Sequence, residues 1–238
     1  TGAIGTDVGT LTLTNSGGAT FGGAVTTGTS VVISNTTGTV AFNAALTTPT
    51  LTVTAGSYNL GLNATGTSIT NAVTFNNTGT LALGASGGTQ TYAGGITATA
   101  PSGVTIAGNI NTSSAAVSIG AASHTLTIAA NAVINTYADS GLGATVTISG
   151  PIKGTVANGQ DLTILTKGAT VSVAGNIGST VTLGRLTLGD ANQTGTITLN
   201  GVSTGANLAI YHVLGNVTAG TGLISITGTA ESTGAHNG

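Results

Sequence analysis

Cysteine, methionine and tryptophan are absent from this 238-residue chain, and only 3% of its residues carry a charge. Without cysteine there is no disulfide framework and no thiolate chemistry, which permits export without demanding it. With three Lys+Arg against five Asp+Glu and a net charge of −2, the chain has no electrostatic means of gripping a phosphate backbone or an anionic membrane surface. An average soluble domain carries roughly a quarter of its residues as Asp, Glu, Lys and Arg, so the composition departs from that of a generic cytosolic enzyme. Long hydrophobic runs are missing too: no stretch approaches the ~20 consecutive apolar residues of a spanning helix. The opening TGAIGTDVGT has neither the basic start nor the apolar segment of a signal peptide. If the protein is exported, the chain reads as a mature or internal segment.

The chain is nonetheless hydrophobic, with 39% apolar residues and a mean hydropathy of +0.42, which separates it from disordered Gly-rich sequences of low hydrophobicity and high charge. The apolar residues sit in short runs that alternate with Thr, Ser or Ala. TLTLT at 10–14, SVVIS at 30–34, TLTVT at 50–54, VSIG at 117–120, TVTISG at 145–150 and LISITG at 223–228 are examples. Period two places one apolar and one hydroxylated face on each strand. Between the runs lie NSGG, NTTG, NNTG and GDANQTG, whose residues tolerate the positive φ of tight turns. No segment carries a sustained helical periodicity, and the abundant Thr is a poor helix former. The chain is predicted to be all-β.

One stretch decides the architecture. GTLTLTNSGGATFGGAV at 9–25 returns as GTLALGASGGTQTYAGGI at 79–96 with one residue inserted. Internal self-similarity and short strands spaced about 9–11 or 16–21 residues apart favour a solenoid over a sandwich. The scarcity of aromatics points the same way, since three Phe and four Tyr are few for a sandwich core of this size. Coils of about 20 residues would give about a dozen coils and a rod of about 55 Å. The solenoid is expected over 1–228, with 229–238 as a polar tail or a junction to a further repeat.

Runs such as GTVAFNAALTTPTLTVTAGSYNLGL (38–62), NAVTFNNTGTLALGASGGTQTYAGGITATA (71–100) and GVTIAGNINTSSAAVSIGA (103–121) resemble passenger regions of filamentous-haemagglutinin-like and autotransporter-type bacterial surface proteins. The resemblance is one of composition and rhythm over nearly the whole chain. It implies a right-handed parallel β-helix, an extracellular location at the cell surface, and adhesion or fibre formation. It carries over no functional residue.

The ionisable groups are few enough to weigh one by one. A β-helical glycan-active enzyme, a polysaccharide lyase or hydrolase, is the alternative reading, and glycoside hydrolysis needs a pair of carboxylates. Asp139 and Asp161 lie about one coil apart and could share a face, although YADSG and NGQDL both read as solvated turns. Calcium would want several carboxylates, whereas GDANQTG at 189–195 offers one and reads as a self-bonded turn. His124, His212 and His236 lack the close spacing of a metal site. His212 is expected on a strand and His236 in a polar tail. No G-x-S-x-G elbow and no phosphate-binding Gly loop occurs. Six Asn-x-Ser/Thr triplets, at Asn35, Asn63, Asn76, Asn111, Asn192 and Asn216, matter only in a glycosylating host.

An array of Thr-x-Thr pairs could bind ice, but the pairs at 10/12, 50/52, 125/127, 145/147, 180/182 and 196/198 are unevenly separated, and Thr is the simplest polar residue for the outward side of any strand. The sequence therefore points to a structural surface protein with no catalytic, cofactor-binding or metal-binding residues and no cofactor. Its charges are expected to be scattered. Neither end reads as a polar cap, so the expected partners are copies stacked end to end or a continuation of the chain, with a glycan or cell-surface ligand as a further partner.

Overall fold

The computed structural model describes residues 2–85, 87–178, 180–190 and 192–199, together with the backbone of 210–213 and 224–226. Among the described residues there is no helix, and every paired strand joins its neighbour in parallel. The strands wind into a β-solenoid of about eight turns. Coil 1 spans 10–26, coil 2 30–48, coil 3 50–69, coil 4 73–92, coil 5 96–111, coil 6 117–135, coil 7 146–165 and coil 8 171–188. Further strands at Ile197–Leu199, Ile210–Val213 and Ile224–Ile226 continue the ladders.

Each coil has three sides. Face 1 is a single ten-stranded ladder that begins at Thr10–Thr14 and ends at Ile224–Ile226. Face 2 begins at Ala19–Phe21, and face 3 begins at Val25–Thr26. Faces 2 and 3 fuse in coils 5 and 6, where one strand, Gly103–Asn111 and then Thr125–Asn135, turns the corner between them. Its register shifts between Ile106 and Gly108.

Alternation explains the packing. On face 1 the inward positions stack like on like: Val73 on Ile96, Ile96 on Val117, Val117 on Val146, Val146 on Val171 and Val171 on Ile197. All of them are buried. β-Branched side chains hold one rotamer and repeat well at a strand spacing of about 4.8 Å. Aromatics fill the lumen of the first four coils, where Phe42, Tyr58, Phe75 and Tyr92 are fully buried and Phe21 stacks on Phe42 with ring centroids 4.6 Å apart.

Two expectations change here. The first is the coil length. From one face-1 strand to the next the chain advances 20 residues (Thr10 to Ser30), 20 (Ser30 to Thr50), 22 (Val53 to Phe75), 23 (Val73 to Ile96) and 21 (Ile96 to Val117). It then advances 29 (Val117 to Val146), 25 (Val146 to Val171), 26 (Val171 to Ile197) and 27 (Ile197 to Ile224). Ten face-1 strands, not a dozen, are stacked, which gives a rod of about 43 Å. The extra residues go into corners such as 136–145 and 155–160, and there Leu142 and Val156 are exposed.

The second is threonine, which was expected only on outward positions. Thr48, Thr112, Thr136 and Thr166 are buried at the end of face 3. Their hydroxyls donate to the carbonyls of Thr50 (3.0 Å), Ala115 (2.6 Å), Ala144 (2.7 Å) and Ala169 (2.9 Å). A corner leaves carbonyls that no ladder bonds, and a short inward hydroxyl satisfies them without filling the lumen.

Candidate functional site

Six of the seven charged residues with described side chains fall between 139 and 190: Asp139, Lys153, Asp161, Lys167, Arg185 and Asp190. Asp7 is the seventh, and Glu231 and His236 lie outside the described residues. The expectation of scattered charge is therefore corrected, because the charges belong to the long coils and their expanded corners.

They do not converge. Asp139 and Asp161 flank opposite ends of face 3: Asp161 precedes Leu162, which is level with Ala132, whereas Asp139 follows Asn135, which is level with Leu165. Asp139 instead accepts from the Ser114 hydroxyl (3.1 Å) and the Gly141 amide (3.1 Å). The Asp161 amide donates to Asn131 Oδ1 (2.9 Å), and Asp161 stands beside Arg185 on the next strand. The two carboxylates therefore stand at different ends of the strand and do not meet.

A second group forms at the corner between faces 3 and 1. Tyr137 donates its phenol to Asp190 Oδ2 across two coils. Lys167 Nζ lies 6.0 Å from the Tyr137 ring centroid and donates to the Gly141 carbonyl (2.9 Å). Burial, the hydrogen bond to Asp190 and the charge of that carboxylate push the Tyr137 phenol up to about 12. Burial acts to raise the Asp190 carboxyl, but hydrogen bonds from Tyr137 and Asn192 outweigh it and hold the group below the usual carboxylate range. The phenol therefore stays protonated and donates to the carboxylate. The cluster ties corners together.

GDANQTG forms a self-bonded turn, with the Asn192 amide donating to Asp190 Oδ1 (2.8 Å). Among the described residues no three His, Cys, Asp or Glu side chains gather as metal ligands. His124 sits in the turn that precedes Thr125–Asn135. His212 lies on the strand Ile210–Val213, level with Thr187, and its side chain is outside the described residues. Of the Asn-x-Ser/Thr triplets, Asn35, Asn76 and Asn192 are exposed, and Asn63 donates to Asn43 (2.8 Å).

The outward side of face 1 carries a feature that linear spacing concealed. Its central row runs Thr12, Val32, Thr52, then Thr74, beside the Phe75–Val53 pair, and Thr97, Ser118, Thr147, Ser172 and Thr198. All but Val32 are hydroxylated. The equivalent row of face 2 runs Thr20, Ala41, Gly61, Ala82, Thr105, Thr127 and Lys153. Only three of those seven are hydroxylated. Uneven coil lengths made the Thr-x-Thr pairs look irregular, and the corners absorb that unevenness. The pair at 125/127 belongs to face 2, while those at 10/12, 50/52, 145/147 and 196/198 belong to face 1.

Comparison with protein-family models, with curated proteins and with solved structures finds no match to this chain.

Proposed function

We propose that the protein is a non-catalytic scaffold, a stalk or fibre segment of an extracellular surface protein. The observation that carries this reading is the continuous strand order of face 1 from Thr10 to Ile226, which persists, with one register shift beside Phe75, while the coil length changes from 20 to 29 residues. A ladder of this kind transmits length and stiffness, and each coil rests only on its neighbours. Asp139 and Asp161, at opposite ends of face 3, and the bonded Tyr137–Asp190 corner supply no convergent acid and base.

End-to-end association is part of the same proposal. Leu11, Leu13 and Phe21 on coil 1 are only partly buried, in contrast to Val31, Ile33 and Phe42 one coil further in. A further coil of the same kind, from a second copy or from the same chain, would cover them. Electron microscopy and sedimentation of the purified chain test this. Filaments that are lost in Leu13→Lys support the proposal, and monomers at all concentrations contradict association. Cleavage of a polysaccharide panel that disappears in Asp139→Asn or Asp161→Asn would replace the scaffold reading with the glycan-active one.

A further inference from the structure

We propose that the outward side of face 1 is an adsorption surface for an ordered, uncharged water lattice, namely a growing ice plane. The proposal begins from a contrast within one molecule. If Thr and Ser were present only because they suit outward strand positions, the faces would carry them alike, yet face 1 keeps a hydroxyl on nearly every rung, face 3 only from Thr26 through Thr47 and Ser68 to Thr91 before Asn111, and face 2 on three rungs of seven. The row is also preserved across the change in coil length, so the irregularity of the sequence never reaches it.

The chemistry of the row suits this occupant. From Thr12 to Ser172 none of its hydroxyls has a hydrogen-bond partner among the described residues, whereas the inward threonines at the corners are all bonded. A free hydroxyl both donates and accepts, and the Thr methyl beside it excludes loosely held water. Successive hydroxyls repeat along the rod at about 4.8 Å. In coils 7 and 8 and the strand Ile197–Leu199 the row doubles, with Thr145 beside Thr147, Thr170 beside Ser172 and Thr196 beside Thr198.

Charge and ring content select the occupant. No Asp, Glu, Lys, Arg or His lies in any face-1 strand, so the surface matches a neutral partner and offers nothing to an anionic one. No aromatic residue stands outward on these strands either, since Phe75 is buried. A face for sugar rings would carry an aromatic platform. The backbone ladder fixes the hydroxyls before contact, which removes the ordering cost of adsorption.

The test compares faces. Thermal hysteresis and ice-crystal shape would be recorded for the full chain, for Thr52→Tyr/Thr147→Tyr on face 1, and for Thr105→Tyr/Thr127→Tyr on face 2, with circular dichroism confirming that each is folded. Hysteresis with faceted crystals in the full chain and the face-2 variant, lost in the face-1 variant, is the expected result. Absence of hysteresis in the folded full chain, or equal loss in both variants, overturns the proposal. Retention on microcrystalline cellulose that is lost only in the face-1 variant would assign the face to a glycan surface and also overturn it. The inference uses the scaffold reading only for the stiffness of the rod, and the filament and cleavage assays test that reading separately.

Discussion

Coils 1–4 and coils 6–8 solve the same stacking problem with different means. The first group uses short coils, a lumen that includes Phe42, Tyr58, Phe75 and Tyr92, and no charged residue, Asp7 lying just ahead of coil 1. Its polar stitching is neutral: Asn43 accepts from Asn63, Asn15 accepts from Asn35, and the buried Gln90 amide donates to the Leu62 and Ala64 carbonyls while accepting from Tyr92. The second group uses coils of 25 to 29 residues, an aliphatic lumen, and corners tied by Tyr137, Asp190, Lys167 and Asp139. Wide inward rings fill the lumen in one half, and surface hydrogen bonds hold long corners in the other. Face 1 is common to both, and its one irregularity is a single extra residue between Val53 and Gly56, at the end of the strand opposite Phe75–Asn77.

The largest expected effect lies in the first group. Phe75→Ala removes a fully buried ring and should cost about 3–5 kcal/mol, measured by denaturant unfolding. Because coils couple only to their neighbours, hydrogen exchange should accelerate in coils 3–5 while coils 7 and 8 keep their protection. Loss of protection throughout would show that the two halves are one cooperative unit.

Alanine at Gly38 should come next. This residue has a φ of 69°, and an added Cβ would run into the Gly17 carbonyl one coil away. The left-handed backbone alone costs about 1–2 kcal/mol for an L-residue, and the contact adds to it. Alanine at Gly143, which has a φ of 77° and faces the Thr166 carbonyl in the same way, should match it. A large difference between the two would mean that the expanded corners yield where the short ones do not.

Acid separates the halves, because the carboxylate held low belongs to the second. The Asp190 carboxyl is held below its usual range in the folded chain, so its contribution is present above the unfolded carboxylate value of about 4 and is lost as pH falls through the folded one. Burial pushes Tyr58 up to about 12 and raises Tyr92 further. Their contribution is full below the unfolded phenol value of about 10 and is lost as pH rises above it. Acid should therefore loosen coils 6–8 first, whereas alkali should weaken coils 3 and 4 and also the Tyr137 corner, whose phenol is pushed up in the same direction. Tyr137→Phe, which removes the bond to Asp190, should cost about 1 kcal/mol after solvent screening and reduce the acid sensitivity, the remainder being held by the Asn192 amide. Asn43→Ala, at an exposed corner, should change stability by no more than about 0.5 kcal/mol.

Much of this was legible in the chain. Alternation identified the face-1 strands and most of face 2, because period two is a direct image of the pleat, but the two- to four-residue face-3 strands Val25–Thr26, Leu46–Thr48, Ser68–Ile69 and Thr89–Tyr92 are too short to show it. The absence of sustained helical periodicity and the repeat at 9–25 and 79–96 led to the solenoid. Coil length was legible only where corners are minimal: Thr48 and Thr50 sit almost side by side across one corner, whereas Thr136 and Thr145 span the same corner with eight residues between them. Nothing in residue type told an insertion from a strand there. The buried Thr column was hidden because an inward and an outward Thr look alike in sequence, and only the corner carbonyls distinguish them. The hydroxyl row was hidden for the converse reason, since its regularity exists in register and not in residue count.

Residue-resolved hydrogen exchange along face 1 tests the account most directly. The account predicts uniform protection of the face-1 amides from coil 2 through coil 8, with fast exchange confined to corners such as 136–145 and 155–160. A step down in face-1 protection at coil 6, where the coils lengthen, would contradict a continuous ladder and with it the scaffold that the ladder supports.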